Sequence, residues 1–175
     1  MVRSFGLVLG LLGLACSGGG DDDEDDSGQG GDQTSLGAAA AELLQAHNEV
    51  RATVDVAPLT YDATVEATAQ TWARSLAADN CAFEHEDQDS YGENLWFSSF
   101  DPTPTEVVEA WASEVAFYDY DRNSCERGEV CGHYTQIVWA DSEKLGCGKG
   151  VCEDGSVLWA CRYDPPGNWV GEKPY

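Results

Sequence analysis

The spacing of apolar residues changes along the chain, and each change predicts an element. Between residues 36 and 54, Leu36, Ala40, Leu43, Leu44, His47, Val50 and Val54 recur at helical intervals. Pro58 closes that helix and its approach. Asp62 is placed to cap a second helix, with Val65, Ala69, Trp72, Ala73 and Leu76 on one face. That helix is expected to stop near Asp79-Asn80. Thr103-Pro104-Thr105-Glu106 reads as a capping box with proline at the first helical position. It opens a third helix, whose stripe is Val107, Val108, Trp111, Val115 and Tyr118. Strand patterns follow. Ile137-Val138-Trp139 is β-branched and aromatic and reads as a strand. Residues 144–152 and 156–163 flank Glu153-Asp154-Gly155, a hairpin turn signal. Asp164-Pro165-Pro166-Gly167 ends the last strand. Helices first and hairpin strands last predict an α+β fold, with helices packed on an antiparallel sheet.

The first 35 residues lack this patterning. Arg3 precedes an apolar run of eleven residues, 5–15, and Cys16 follows at once. The run is shorter than the roughly 18 residues that span a bilayer. Residues 1–15 therefore read as a signal peptide. Leu12-Gly13-Leu14-Ala15-Cys16 resembles a bacterial lipobox, in which the cysteine is lipidated. An ordinary signal peptide cut near Ala15 is the alternative. Residues 16–35 form an acidic Ser/Gly/Asp stretch, with acids at Asp21, Asp22, Asp23, Glu24, Asp25, Asp26 and Asp32. Such a stretch buries too little to order itself and reads as a tether. The spacing of its acids matches no EF-hand loop. Residues 36–175 remain as one domain, large enough for a real core. An exported protein is expected: an outer-membrane or cell-surface lipoprotein held by its N-terminal lipid, otherwise a periplasmic or secreted one.

Charge narrows the partners. The chain carries 32 acids against nine bases, a net charge of −23. Outside the tether and leader, 25 acids face eight bases. Such a surface argues against nucleic acid and against anionic lipid, and it favours cations. Seven cysteines in 175 residues indicate an oxidising compartment. If Cys16 is lipidated, six remain, an even set with fifteen possible pairings.

Five motifs then carry a resemblance. They are His47-Asn48-Glu49-Val50-Arg51, Gly92-Glu93-Asn94-Leu95, Trp111-Ala112-Ser113-Glu114, the run from Gly132-His133-Tyr134-Thr135-Gln136 to Ser142, and Cys161-Arg162-Tyr163-Asp164-Pro165-Pro166-Gly167-Asn168-Trp169. In this order they resemble the CAP superfamily: cysteine-rich secretory proteins, antigen 5 and plant pathogenesis-related class 1 proteins. The end of the chain, Gly171-Glu172-Lys173-Pro174-Tyr175, resembles the plant branch. The resemblance implies an α-β-α sandwich around a central antiparallel sheet. It also implies disulfides Cys81–Cys152, Cys125–Cys131 and Cys147–Cys161.

The resemblance further implies a cleft lined by His85, Glu93, Glu114 and His133. Two imidazoles with adjacent carboxylates suit a divalent metal, zinc first. His47, on the apolar stripe of the first helix, and Arg51, one turn on, read instead as structural. Glu86 stands where the family usually has serine; it either adds negative charge at the cleft or points to water. Three functions stay open. One is a binding module for a small hydrophobic ligand such as a sterol or fatty acid. Another is a metal-dependent hydrolase or protease using a Glu base or metal-bound water. The third is a surface interaction protein. Gly-x-Ser-x-Gly does not occur, and paired cysteines offer no nucleophile. The family's sterol-binding loop would fall in residues 141–157, which here are charged and Gly-rich rather than aromatic.

Overall fold

A computed structural model describes residues 30–175, with side chains from Gly37 onward. The leader, Cys16 and the tether up to residue 29 lie outside the described residues. Helix α1 covers Gly30–Ala52, so it begins within the stretch read as tether. Its Leu43 and His47 are buried, as the stripe predicts, while Leu44, Val50 and Val54 are half-buried; Ala46 and Arg51, outside the stripe, are buried too. Asn48 holds the chain after it: its Nδ2 donates to the Leu59 carbonyl at 3.1 Å and its Oδ1 accepts from the Leu59 amide at 2.7 Å. Strand β1 is only Thr60–Tyr61. Helix α2, Ala63–Ala78, starts where Asp62 accepts from the Thr64 and Val65 amides at 2.8 and 3.0 Å.

Strand β2 is Gly92–Ser98, and helix α3 is Pro104–Ala112 behind the complete Thr103/Glu106 capping box. Helix α3 is shorter than its stripe predicts. The chain tightens into a 3-10 turn over Ser113–Phe117. Its three-residue period swings Val115 out to 50% exposure, instead of keeping it on the helical face. Strands β3 (Tyr118–Asp119) and β4 (Ser124–Cys125) make a small antiparallel pair. Helix α4, Gly132–Ile137, then corrects a second expectation. Ile137-Val138-Trp139 is not a strand but the end of this helix and the turn after it. All three side chains are buried, and the Ile137 and Trp139 carbonyls accept from Arg51 Nη1, each at 2.8 Å. The β-branched and aromatic character reports burial there, not extension.

Strands β5 (Lys144–Val151) and β6 (Val157–Asp164) form the expected hairpin. The sheet order is β1-β5-β6-β2. Pairs β5/β6 and β6/β2 are antiparallel, but β1 runs parallel to β5. The sheet is therefore mixed rather than wholly antiparallel. The chain entering from α1 lays Thr60 beside Lys144 in the same direction, with its amide on the Glu143 carbonyl at 2.9 Å.

Alternation along β6 builds a layer on each face. Leu158 and Ala160 meet Ala73 and Leu76 of α2. Trp159, Cys161 and Tyr163 meet residues of α1, α3 and α4 on the other face, among them Leu43, Val107, Trp111 and Tyr134. The three implied disulfides are present: Cys81–Cys152, Cys125–Cys131 and Cys147–Cys161. Residues 141–157 include strand β5 and its turn to β6.

Candidate functional site

The four cleft residues come from four different segments. His85 lies in the loop between α2 and β2, and Glu93 is the second residue of β2. Glu114 lies in the 3-10 turn, and His133 is the second residue of α4. They meet as two pairs. His85 Nδ1 is 2.9 Å from Glu93 Oε1, and His133 Nδ1 is 2.6 Å from Glu114 Oε1. A carboxylate only accepts, so each imidazole donates its Nδ1–H. A neutral ring then presents the Nε2 lone pair away from the carboxylate.

Both carboxylates have their second oxygen engaged as well. Glu114 Oε2 accepts from the His133 amide at 2.9 Å and the Tyr134 amide at 3.1 Å, at the start of α4. These amides have no helical partner of their own, so the glutamate supplies one. Glu93 Oε2 accepts from Arg162 Nε at 3.3 Å and Nη2 at 3.2 Å. The Glu93 and Arg162 side chains are 5% and 4% exposed, so the ion pair is buried. Glu86 is neither adrift in water nor a free charge at the cleft. Its Oε2 pairs with Arg162 Nη2.

The pairs flank the edge strand β2. Glu93 points to the face of Arg162 and α2, while Asn94 points to the opposite face. There Asn94 Nδ2 donates to the His133 carbonyl at 3.1 Å and to the Tyr163 hydroxyl at 3.0 Å. Neighbouring residues of one strand thus touch both pairs. The indole of Trp111 stacks on His133, with ring centroids 6.0 Å apart and planes 19° from parallel. Its Nε1 donates to the Leu95 carbonyl on the open edge of β2 at 3.1 Å.

His47 and Arg51 have structural partners instead. His47 is fully buried, with Nδ1 on the Leu43 carbonyl at 2.7 Å and Nε2 on the Tyr163 hydroxyl at 2.8 Å. Burial lowers its pKa to about 4, against the bond to Leu43, and Arg51 lowers it further. The neutral ring donates through Nδ1 and accepts the Tyr163 hydroxyl at Nε2. Arg51 gives its guanidinium to the carbonyls of Ala57, Ile137, Trp139 and Ser142. His85 differs from His47: its bond to Glu93 raises its pKa, against partial desolvation.

The imidazole pairs fit a metal in part. Histidines held through Nδ1 by carboxylates are the usual way of aiming Nε2 at zinc. Two such nitrogens are fewer than the three protein ligands of most catalytic zinc sites. Among the described residues, no three or more His, Cys, Asp and Glu side chains converge to hold a metal ion. The roles of Arg162 and of the α4 amides are absent from the sequence reading. Seeing them requires the β2/β6 register, which sets Glu93 opposite Arg162, and the start of α4. Away from the pairs, Gln70, Ala77, Pro102, Pro104, Lys149 and Trp159 help line a groove of about 700 Å³.

Comparison with known proteins follows the same lines. The model of the cysteine-rich secretory protein family, CAP, matches residues 44–163. Pathogenesis-related protein 1A of Nicotiana tabacum is 49% identical over 135 residues, 77% of this chain and 79% of that protein. Pathogenesis-related protein 1 of Arabidopsis thaliana is 42% identical over 134 residues, 77% of this chain and 81% of that one. The structure of NaASP2 with Zn2+ superposes with a TM-score of 0.61 at 28% identity, covering 78% of this chain and 84% of that one. Venom allergen-like protein 4 of Schistosoma mansoni shares the fold, with a TM-score of 0.64 at 24% identity over 78% and 93% of the two chains. With the family model spanning most of the described residues and plant relatives approaching half identity, the chain belongs to the cysteine-rich secretory protein (CAP) family, among its pathogenesis-related class 1-like members.

Proposed function

We propose that this is an exported CAP binding module in which His85 and His133 offer their Nε2 atoms to one divalent cation, zinc first. One observation carries the reading. Each glutamate has one oxygen on an imidazole Nδ1 and the other on a fixed donor, Arg162 for Glu93 and the α4 amides for Glu114. The carboxylates therefore aim the rings and add negative charge, without ligating directly. The acidic domain raises the local cation concentration. The structure of the relative NaASP2 with Zn2+ supports the choice of metal. A bound cation would supply a Lewis-acidic contact for an anionic or carbonyl group of a partner. The Glu-base form of the hydrolase alternative needs a glutamate free to take a proton from water, and both are engaged on both oxygens; the form that uses metal-bound water shares the cation proposed here.

Calorimetric zinc titration of the domain tests this. Wild type is expected to bind one zinc, and His85→Ala and His133→Ala are each expected to abolish it. Binding that persists in either variant, or none in wild type, sinks the reading. The hydrophobic-ligand role finds support at a different place, the groove beside Trp159, whose indole N–H is buried without a partner among the described residues. Fatty-acid binding unaffected by His85→Ala but lost on Ala77→Trp, which fills the groove, would assign it there, and binding lost with His85 would remove it from the groove. Export rests on three disulfides, which form in oxidising compartments. Lipidation of Cys16 completes this proposal; a mature mass without the lipid would contradict it.

A further inference from the structure

Arg162 is a buried cation in an acidic domain, its side chain 4% exposed. It lies on β6 directly across from Glu93 of β2. Its guanidinium meets Glu93 Oε2 through Nε and Nη2, meets Glu86 through Nη2, and lies 5.8 Å from the centroid of the Tyr91 ring. Glu93 is thereby divided between two donors, His85 on Oε1 and Arg162 on Oε2. The two donors are unequal. The His85 side chain is 63% exposed, while that of Arg162 is 4% exposed. An exposed ring cannot fix a glutamate side chain, but a buried planar guanidinium can. The Glu86 amide adds a weaker contact to Glu93 Oε1 at 3.3 Å.

We propose that Arg162 is the positioning residue of the His85 half of the cation site, acting through Glu93, with Glu86 as the counter-ion that keeps its charge from repelling the cation. The chain of contacts is Glu86, Arg162, Glu93, His85. The cation itself rests on the function proposed above; the orientation of His85 does not.

Two physical effects oppose each other at Arg162. By Coulomb's law alone, removing a positive charge near a cation site strengthens binding. If the guanidinium holds the carboxylate that aims the ring, removing it weakens binding. The sign of the change separates them.

The experiment compares wild type with Arg162→Gln, Arg162→Lys and Glu86→Gln. Imidazole 15N shifts are read first in metal-free protein, at a pH alkaline enough to keep the rings neutral. Wild-type His85 is expected in the Nδ1–H tautomer. In Arg162→Gln it becomes a mixture of tautomers, while His133, held by Glu114, stays unchanged as the internal reference. Zinc titration then follows, with a loss of about 10–100-fold in affinity expected for Arg162→Gln. Glu86→Gln is expected to keep the His85 tautomer and bind zinc several-fold more weakly. An unchanged His85 tautomer in Arg162→Gln overturns the positioning role, as does equal or tighter zinc binding. Equal or tighter binding in Glu86→Gln overturns the counter-ion role. If Arg162→Gln does not fold, Arg162→Lys decides: it keeps the charge but loses the fork, so mixed tautomers support positioning and a pure Nδ1–H form overturns it. Absence of zinc binding in wild type defeats the cation reading alone, and the tautomer result still decides what Arg162 does.

Discussion

His47 shows what a buried histidine costs this fold. Its ring is neutral when folded, with a pKa near 4, whereas in the unfolded chain it titrates near 6.5. Between these values the unfolded state binds a proton that the folded state does not. Stability therefore falls as pH drops from 6.5 to about 4, by about 3 kcal/mol from this residue. Urea unfolding across that range is expected to show the loss in wild type. It should be missing from His47→Gln after the common carboxylate slope is subtracted; parallel curves would contradict the assignment. The burial of His47 is legible in the sequence, because it lies on the apolar stripe of α1. His85, Glu93, Glu114 and His133 are legible only through motif resemblance, and nothing in their local spacing pairs them. Their second donors are illegible, since Arg162 is 69 residues from Glu93 in sequence and meets it only through strand register.

At the scale of elements, the interface between α2 and β5 has no room for side chains from the sheet. A Cβ on Gly146 would stand 2.0 Å from the Glu66 amide nitrogen, and one on Gly148 would stand 2.2 Å from Gln70 Cα. Both obstacles are helix backbone and cannot rotate away. Gln70 completes the approach by a pair of bonds to the Lys149 peptide, Nε2 to its carbonyl at 2.7 Å and Oε1 from its amide at 3.1 Å. In this way a side-chain amide covers part of an otherwise open strand edge. Gly148→Ala is expected to destabilise by about 1–3 kcal/mol or more through overpacking, measured by thermal or urea unfolding. A neutral result would mean that α2 lifts freely from the sheet. The alternating glycines are visible in the sequence, within an expected strand, yet they stand there only as a Gly-rich composition and do not announce the helix they admit. Glycine looks alike in a loop and under a helix, so only the packing partner tells them apart. The same ambiguity turns Ile137-Val138-Trp139 from an expected strand into the end of α4. The capping signals of α2 and α3 are legible because a cap is made by residues adjacent in sequence.

For the whole molecule, the two faces of the sheet and the three disulfides hold the loop of His85 and the start of α4 against the same edge strand. Cys81–Cys152 ties the start of the His85 loop to the end of β5, across 71 residues of sequence. Cys125–Cys131 anchors the residue just before α4, next to His133. The α+β class and the helix-then-hairpin order are legible from periodicity alone. The parallel pairing of β1 is not, because two residues carry no period. The central claim is that two carboxylate-held imidazoles, from opposite faces of β2, serve one cation. Anomalous diffraction at the zinc edge from zinc-loaded crystals tests it most directly. The account predicts one peak at about 2.0–2.1 Å from Nε2 of both His85 and His133, with Glu93 and Glu114 still on the Nδ1 atoms. A peak on the glutamate oxygens, a peak at one histidine alone, or zinc bound elsewhere would contradict it.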